Sequence, residues 1–175
     1  MNLFLIGYRC SGKTTVGKSI ALAIDWSFVD SDLLLTRKQG KSINDIIDNA
    51  GWDAFRRIER SALKQICTGD RQVVATGGGV VLDAENIRAM KTSGTVVWLD
   101  ASAATIRKRM RRDKKTENFR PALTEKGRIE EIEDMLLKRN PYYESAGDFC
   151  IQTDDTMIDQ ITQKIITKVK DRIGA

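Results

Sequence analysis

Apolar residues fall along this chain in short unbroken runs, separated by longer stretches of mixed character. Residues 3–6, 28–29, 73–75, 95–99 and 149–151 are rich in β-formers and lack polar alternation. That is the pattern of strands buried on both faces. Between them, 13–24, 32–38, 43–68, 84–92, 102–112, 128–146 and 156–173 carry helical spacing. Strands alternating with helices predict a five-stranded parallel sheet, and right-handed crossovers cover both of its faces, giving a three-layer α/β/α domain.

Local signals sharpen several boundaries. Ser42 followed three residues later by Asp45 reads as an N-cap with its acid, and Asp83 and Ser102 can cap the helices after them. Gly51 and Gly94 fit helix stops, and Pro141 is expected to break or bend the 128–146 segment near Asn140. The polar stretch 113–127 reads as a mobile loop. No internal repeat or linker divides the 175 residues, so one domain over 1–175 is expected.

The first chemistry lies directly after the first strand. Gly7-Tyr8-Arg9-Cys10-Ser11-Gly12-Lys13-Thr14 matches the phosphate-binding pattern G-x-x-x-x-G-K-[ST] and opens a helix. Glycines at 7 and 12 let the backbone curl so that successive N–H groups, aided by the helix N-terminus, face an anion. Lys13 is expected to reach the β- and γ-phosphates of ATP and the Thr14 hydroxyl to hold Mg²⁺. This motif alone does not separate a kinase from an ATPase, GTPase or motor.

Four other features leave alternatives open when read by themselves. Many such proteins place a metal-binding Asp after a second strand; here that position is Thr76, followed by Gly77-Gly78-Gly79. Asp30 and Asp32 end another strand, and two carboxylates two residues apart on extended chain point the same way. They read either as a helix-capping pair or as groups serving Mg²⁺ and a substrate hydroxyl. The triple glycine suggests close backbone approach to a ligand, against a plain tight turn. Arg56 shares a helix with Glu59 and Arg60, either as a solvated charged face or as a carboxylate clamp. Arg139 stands at the bend marked by Pro141 and reads in isolation as a surface charge.

Composition narrows the choice. With no histidine, a general base must be Asp, Glu, Lys or Tyr. Cys10, Cys67 and Cys150 are odd in number and widely spaced, which implies no disulfide framework. No apolar run approaches the ~20 residues of a membrane span. The N-terminal run is read as a buried strand rather than a signal peptide, so a cytoplasmic location is expected. The net charge of +5 is concentrated: 107–120 hold eight Lys or Arg against two acids. One basic segment suits a small polyanion as well as nucleic acid, and Phe119 is its sole aromatic, which disfavours a stacking platform.

Together these residues resemble the shikimate kinase family. The likeness spans nearly the whole chain, in order: the loop 7–15, Asp30-Ser31-Asp32, Phe55-Arg56 with Glu59, Gly77-Gly78-Gly79, Arg120-Pro121-Ala122-Leu123 and Arg139-Asn140-Pro141-Tyr142-Tyr143-Glu144. The resemblance implies a P-loop fold like that of nucleoside monophosphate kinases, with a lid at about 113–127 and a substrate-binding helical region at about 32–62. It implies ATP-dependent phosphorylation of the 3-hydroxyl of shikimate by a monomer that needs neither nucleic acid nor membrane.

Carried over by motif, Gly7, Cys10, Ser11, Gly12, Lys13, Thr14 and Thr15 would cradle ATP. Arg56 and Arg139 would grip the substrate carboxylate, while Asp32 with Gly77, Gly78 and Gly79 would bind the ring hydroxyls. Asp32 would also receive the proton of the reacting alcohol, late enough that no elevated pKa is needed. Thr14 and Asp30 would serve Mg²⁺, Arg120 would close over the transferring phosphate, and Arg109 would pack on adenine. The alternative acceptors are gluconate, a nucleoside monophosphate or another small polyol. The carboxylate-binding arginines favour an acid, and the triple glycine with Arg139-x-Pro favours shikimate.

Overall fold

A computed structural model describes residues 1–113, 123, 127 and 129–173. Five strands, β1 (Asn2–Ile6), β2 (Ser27–Asp30), β3 (Gln72–Ala75), β4 (Gly94–Asp100) and β5 (Phe149–Gln152), form one sheet in the order β2-β3-β1-β4-β5. Every pairing is parallel. The helices are α1 (Lys13–Ala23), α2 (Ser31–Gln39), α3 (Ile43–Cys67), α4 (Ala84–Ser93), α5 (Ala103–Arg112), α6 (Ile132–Ala146) and α7 (Ile158–Ile173). A short 3-10 turn, Val80–Leu82, follows β3.

Unbroken apolar strands are satisfied here because both faces are covered. Leu3 and Leu5 of β1 turn to one side, where Val16 and Ile20 of α1 and Ile161, Ile165 and Val169 of α7 pack on them. Phe4 and Ile6 turn to the other, against Leu63, Met90, Ile106 and Met135 from α3 to α6. A smaller apolar cluster, Leu35, Ile43, Ile46, Phe55 and Ala62, ties α2 to α3 outside the main layers. This arrangement leaves the loops after β1, β2 and β3 at the C-terminal edge of the sheet. In open α/β sheets that edge, where the strand order reverses, is where ligands bind.

The capping signals fold as expected. Ser42 and Asp45 form a reciprocal capping box, and Asp83 and Ser102 accept from Glu85 N–H and Thr105 N–H. Two readings need correction. The segment expected from 128 begins its helix at Ile132, because a turn in which Glu131 N–H donates to Gly127 C=O comes first. Pro141 does not break that helix. It lies on the exposed side, so the carbonyl of Leu137, which loses its N–H partner there, belongs to an 80% exposed residue, while Arg139 and Tyr143 keep the buried face continuous.

Gly51 acts as expected in a sharper way. At φ 77 and ψ 172 it divides α3 into two helical pieces, in a region of backbone space that is essentially confined to glycine. No atom would lie within 4 Å of a Cβ there, so conformation alone demands the glycine. Gly51→Ala is expected to cost about 1–3 kcal/mol. The change should appear as a lower urea midpoint with an unchanged m-value.

Candidate active site

The loop after β1 takes its curl from two different constraints. A Cβ on Gly7 would fall 2.3 Å from the Leu99 carbonyl, so the adjacent strand forbids a side chain, and its φ of 139 is also unfavourable to one. Gly12 caps α1 with φ 104. Ser11 N–H donates back to Tyr8 C=O, closing the loop at its tip. The Lys13 ammonium lies buried across it, donating to the carbonyls of Gly7 and Tyr8 at 2.8 and 2.7 Å. Cys10, Ser11, Gly12, Lys13, Thr14 and Thr15 then line a cleft of about 640 Å³.

Thr153, Thr156, Ile158 and Ile161, with Arg109, add to the lining of that cleft beside the loop, and the Thr153 hydroxyl donates to Ser11 C=O at 3.2 Å. Arg109 donates to Cys10 C=O at 3.2 Å and to the Thr153 hydroxyl and carbonyl at 3.1 and 2.6 Å. Its neighbour Arg107 instead pairs with Glu133 at 3.0 Å on the surface. Of the α5 arginines, Arg109 is therefore the one that lines the cleft. The Thr153 to Ile161 wall was not foreseen, because small polar residues after an edge strand carry no motif.

Asp30 and Asp32 both face the cleft, but not for the reason of extended geometry. Asp30 ends β2 and Asp32 lies in the first turn of α2, so the helix, not strand alternation, aims the second carboxylate. Asp30 serves two partners at once. One oxygen caps α2 by accepting from Asp32 N–H at 3.1 Å and Leu33 N–H at 3.2 Å, and the other accepts from the Thr14 hydroxyl at 3.1 Å. A hydroxyl and a carboxylate side by side are hard oxygen donors. They fit Mg²⁺, which binds through one or two protein oxygens together with substrate phosphates and water.

Asp32 and Ile43 also belong to a second, smaller pocket, lined by Arg9, Trp52, Phe55, Arg56, Glu59, Gly77, Gly78, Gly79, Leu123 and Arg139. Three guanidiniums thus converge on one space. Arg56 pairs with buried Glu59 at 2.6 Å and lies over the rings of Phe55 and Trp52. Burial pushes the Glu59 carboxyl up despite the opposing pull of Arg56. Arg139 is 6% exposed, reaches Gly78 C=O at 3.4 Å and leaves its buried Nε without a hydrogen-bond partner among the described residues. Arg9, 9% exposed, approaches Glu131 at 3.9 Å.

Two of the three glycines, 77 and 79, are required by space. None of the three lies in the left-handed region. A Cβ on Gly77 would stand 2.7 Å from an Asp32 oxygen and 2.9 Å from a Glu59 oxygen, and one on Gly79 would lie 2.3–2.7 Å from the Arg56 guanidinium. Gly77 N–H donates to Ser31 Oγ at 3.0 Å, and Gly78 C=O accepts from the Tyr143 hydroxyl at 2.5 Å. The Tyr143 phenol, pushed up to about 12 by burial, stays a neutral donor at any working pH.

Every expected site residue among those described lies in or beside these two pockets, except that Arg120 falls outside the described residues, as does most of the expected lid. Arg9 was missed because it occupies a variable position of the loop motif. A cation inside an apolar-flanked phosphate loop was the signal. Trp52 carries no motif beside Gly51, and Glu131 sits among charged residues that read as solvated helix.

Comparison with known proteins agrees with this geometry. The family model for shikimate kinase matches residues 9–170. Shikimate kinase 2 of Yersinia pestis (strain Pestoides F) is 39% identical over 166 residues, 93% of this chain and 94% of that protein. The shikimate kinase of Nitratidesulfovibrio vulgaris is 39% identical over 152 residues, 87% of this chain and 86% of that one. A solved structure of shikimate kinase from Acinetobacter baumannii in complex with shikimate superposes with a TM-score of 0.88 at 29% identity, covering 98% of this chain and 93% of that one. The match of the family model over residues 9–170 and the identity to these relatives across nearly the whole chain make it a member of the shikimate kinase family.

Proposed function

We propose that the 640 Å³ cleft holds ATP and the smaller pocket holds shikimate, so that the chain transfers the γ-phosphoryl group to the 3-hydroxyl and yields shikimate 3-phosphate. The observation that carries this is the place of Asp32, whose side chain lines both spaces. An alcohol beside it lies at the mouth of the phosphate loop. Phosphoryl transfer needs alignment and charge neutralisation more than covalent chemistry, and two abutting seats supply the alignment.

The arginines support an acidic acceptor. Arg56 and Arg139 flank the pocket, and the buried Arg139 Nε is a donor whose desolvation an incoming carboxylate would offset. Asp32 accepts the proton of the attacking alcohol as the O–P bond forms and the bond to the ADP leaving oxygen breaks. Lys13, released from the loop carbonyls, follows the β- and γ-phosphates. Thr14 and Asp30 would hold Mg²⁺, which when bound neutralises phosphate charge. Arg109, which lines the cleft, is assigned by motif to the adenine, and Arg120 to the transferring phosphate.

Both seats are lined by one chain, which supports action as a monomer. Within α5, Arg109 lines the proposed nucleotide cleft and Arg107 is paired with Glu133, which supports a small polyanion rather than nucleic acid as the partner of these arginines. Three free cysteines, one of them exposed, fit a reducing compartment and hence the cytoplasm. Among the described residues no helix is long and apolar enough to cross a membrane.

ADP release with ATP-Mg, with and without shikimate, tests the reading directly. Strong stimulation by shikimate is expected, and equal stimulation by gluconate would overturn it. Asp32→Asn is expected to lower kcat by at least ~10²-fold, as for a positioned acid–base group. Arg139→Ala should raise the shikimate KM about 30-fold or more while ATP binding stays near wild type. In initial-rate kinetics, equal losses for both ligands would remove Arg139 from the acceptor seat. Gly79→Ala, by displacing Arg56, should raise the same KM about 10-fold.

A further inference from the structure

Glu131 precedes α6 and is completely buried, yet it lines neither pocket. One of its carboxylate oxygens accepts from the backbone N–H of Leu123 at 2.7 Å, and the other lies 3.9 Å from a guanidinium nitrogen of Arg9. Both of those partners do line the acceptor pocket, and they belong to segments more than a hundred residues apart. The carboxylate itself is fixed. Glu131 N–H donates to Gly127 C=O at 3.2 Å, its carbonyl accepts from Met135 N–H at 2.9 Å, and Ile132 and Met135 pack into the core that Leu123 leans on.

An ionised carboxylate removed from water is stabilising only when its partners hold it well, and an apolar residue of similar volume is often the more stable choice there. Its worth must then be sought in what it orients. The hydrogen bond to Leu123 is short and charge-assisted, and so directional. The approach to Arg9 is longer, at 3.9 Å, and adds a charge attraction toward the loop.

We propose that Glu131 is a positioning residue for the acceptor: through the Leu123 amide it holds one wall of the shikimate pocket in register with the phosphate loop that carries Arg9. The assignment rests on the acceptor reading given above. It makes no contact with substrate, so it governs the shape of the acceptor seat and leaves the ATP seat alone.

Steady-state kinetics with a double-mutant cycle tests this. Glu131→Ala is expected to raise the shikimate KM about 10-fold with the ATP KM within about 2-fold of wild type. Glu131→Gln keeps an oxygen for the Leu123 amide and should remain within about 3-fold of wild type. Because the effect runs through Leu123, Glu131→Ala made on top of Leu123→Ala should add less than about 2-fold. Additive effects, an unchanged Glu131→Ala enzyme, or an equal rise in the ATP KM would overturn the role.

Should Glu131→Ala fail to fold, Leu123→Pro deletes the donor in place of the acceptor. It should then raise the shikimate KM well above that of Leu123→Ala, and equality of the two would overturn the role. Wild-type turnover of shikimate separates the two readings. Its absence removes the acceptor assignment and this one with it, whereas normal wild-type turnover beside an unaltered Glu131→Ala enzyme removes Glu131 alone.

Discussion

Arg9, Arg56 and Arg139 carry like charges into one small space, and each is held there by an acceptor that the protein itself supplies. Arg56 has buried Glu59 at 2.6 Å, Arg139 has the carbonyl of Gly78, and Arg9 has buried Glu131 at a looser 3.9 Å. Without these acceptors the three guanidiniums would repel one another toward solvent, and the pocket would have to be assembled by the ligand at the expense of affinity. Much of the surrounding architecture follows from this need. The absence of side chains at 77 and 79 leaves room for Asp32, Glu59 and Arg56, and the Tyr143 hydroxyl fixes the carbonyl that Arg139 uses.

The motif residues of the phosphate loop are legible because they are contiguous: one strand, one loop and one helix N-terminus carry them. The sheet was equally plain, since strands buried on both faces write unbroken apolar runs. For Asp30 and Asp32 strand alternation predicts the right side of the sheet by the wrong geometry, since the chain turns into α2 between them. The two carboxylates still face one cleft because a helix beginning at the strand end aims its first turn the same way.

What escaped was assembled from distant segments. Arg9 fills a position that the loop motif leaves open, and only its burial against α6 marks it. Glu131 lies in a run of acids that resembles a solvated helix face, and nothing in that run distinguishes the one carboxylate that turns inward. Pro141 stays inside α6 because on the exposed side the helix tolerates the loss of one hydrogen bond. Burial decides each of these cases, and burial is a property of the packed molecule.

Asp30 spends its two oxygens in opposite directions, one on the amides that begin α2 and one on the hydroxyl that begins α1. A single carboxyl group is thereby a rigid vertebra between the helix that receives phosphate and the helix that carries Asp32. The start of the phosphate-loop helix and the start of the helix that carries Asp32 therefore meet at one planar group of three atoms, with no flexible linker in between.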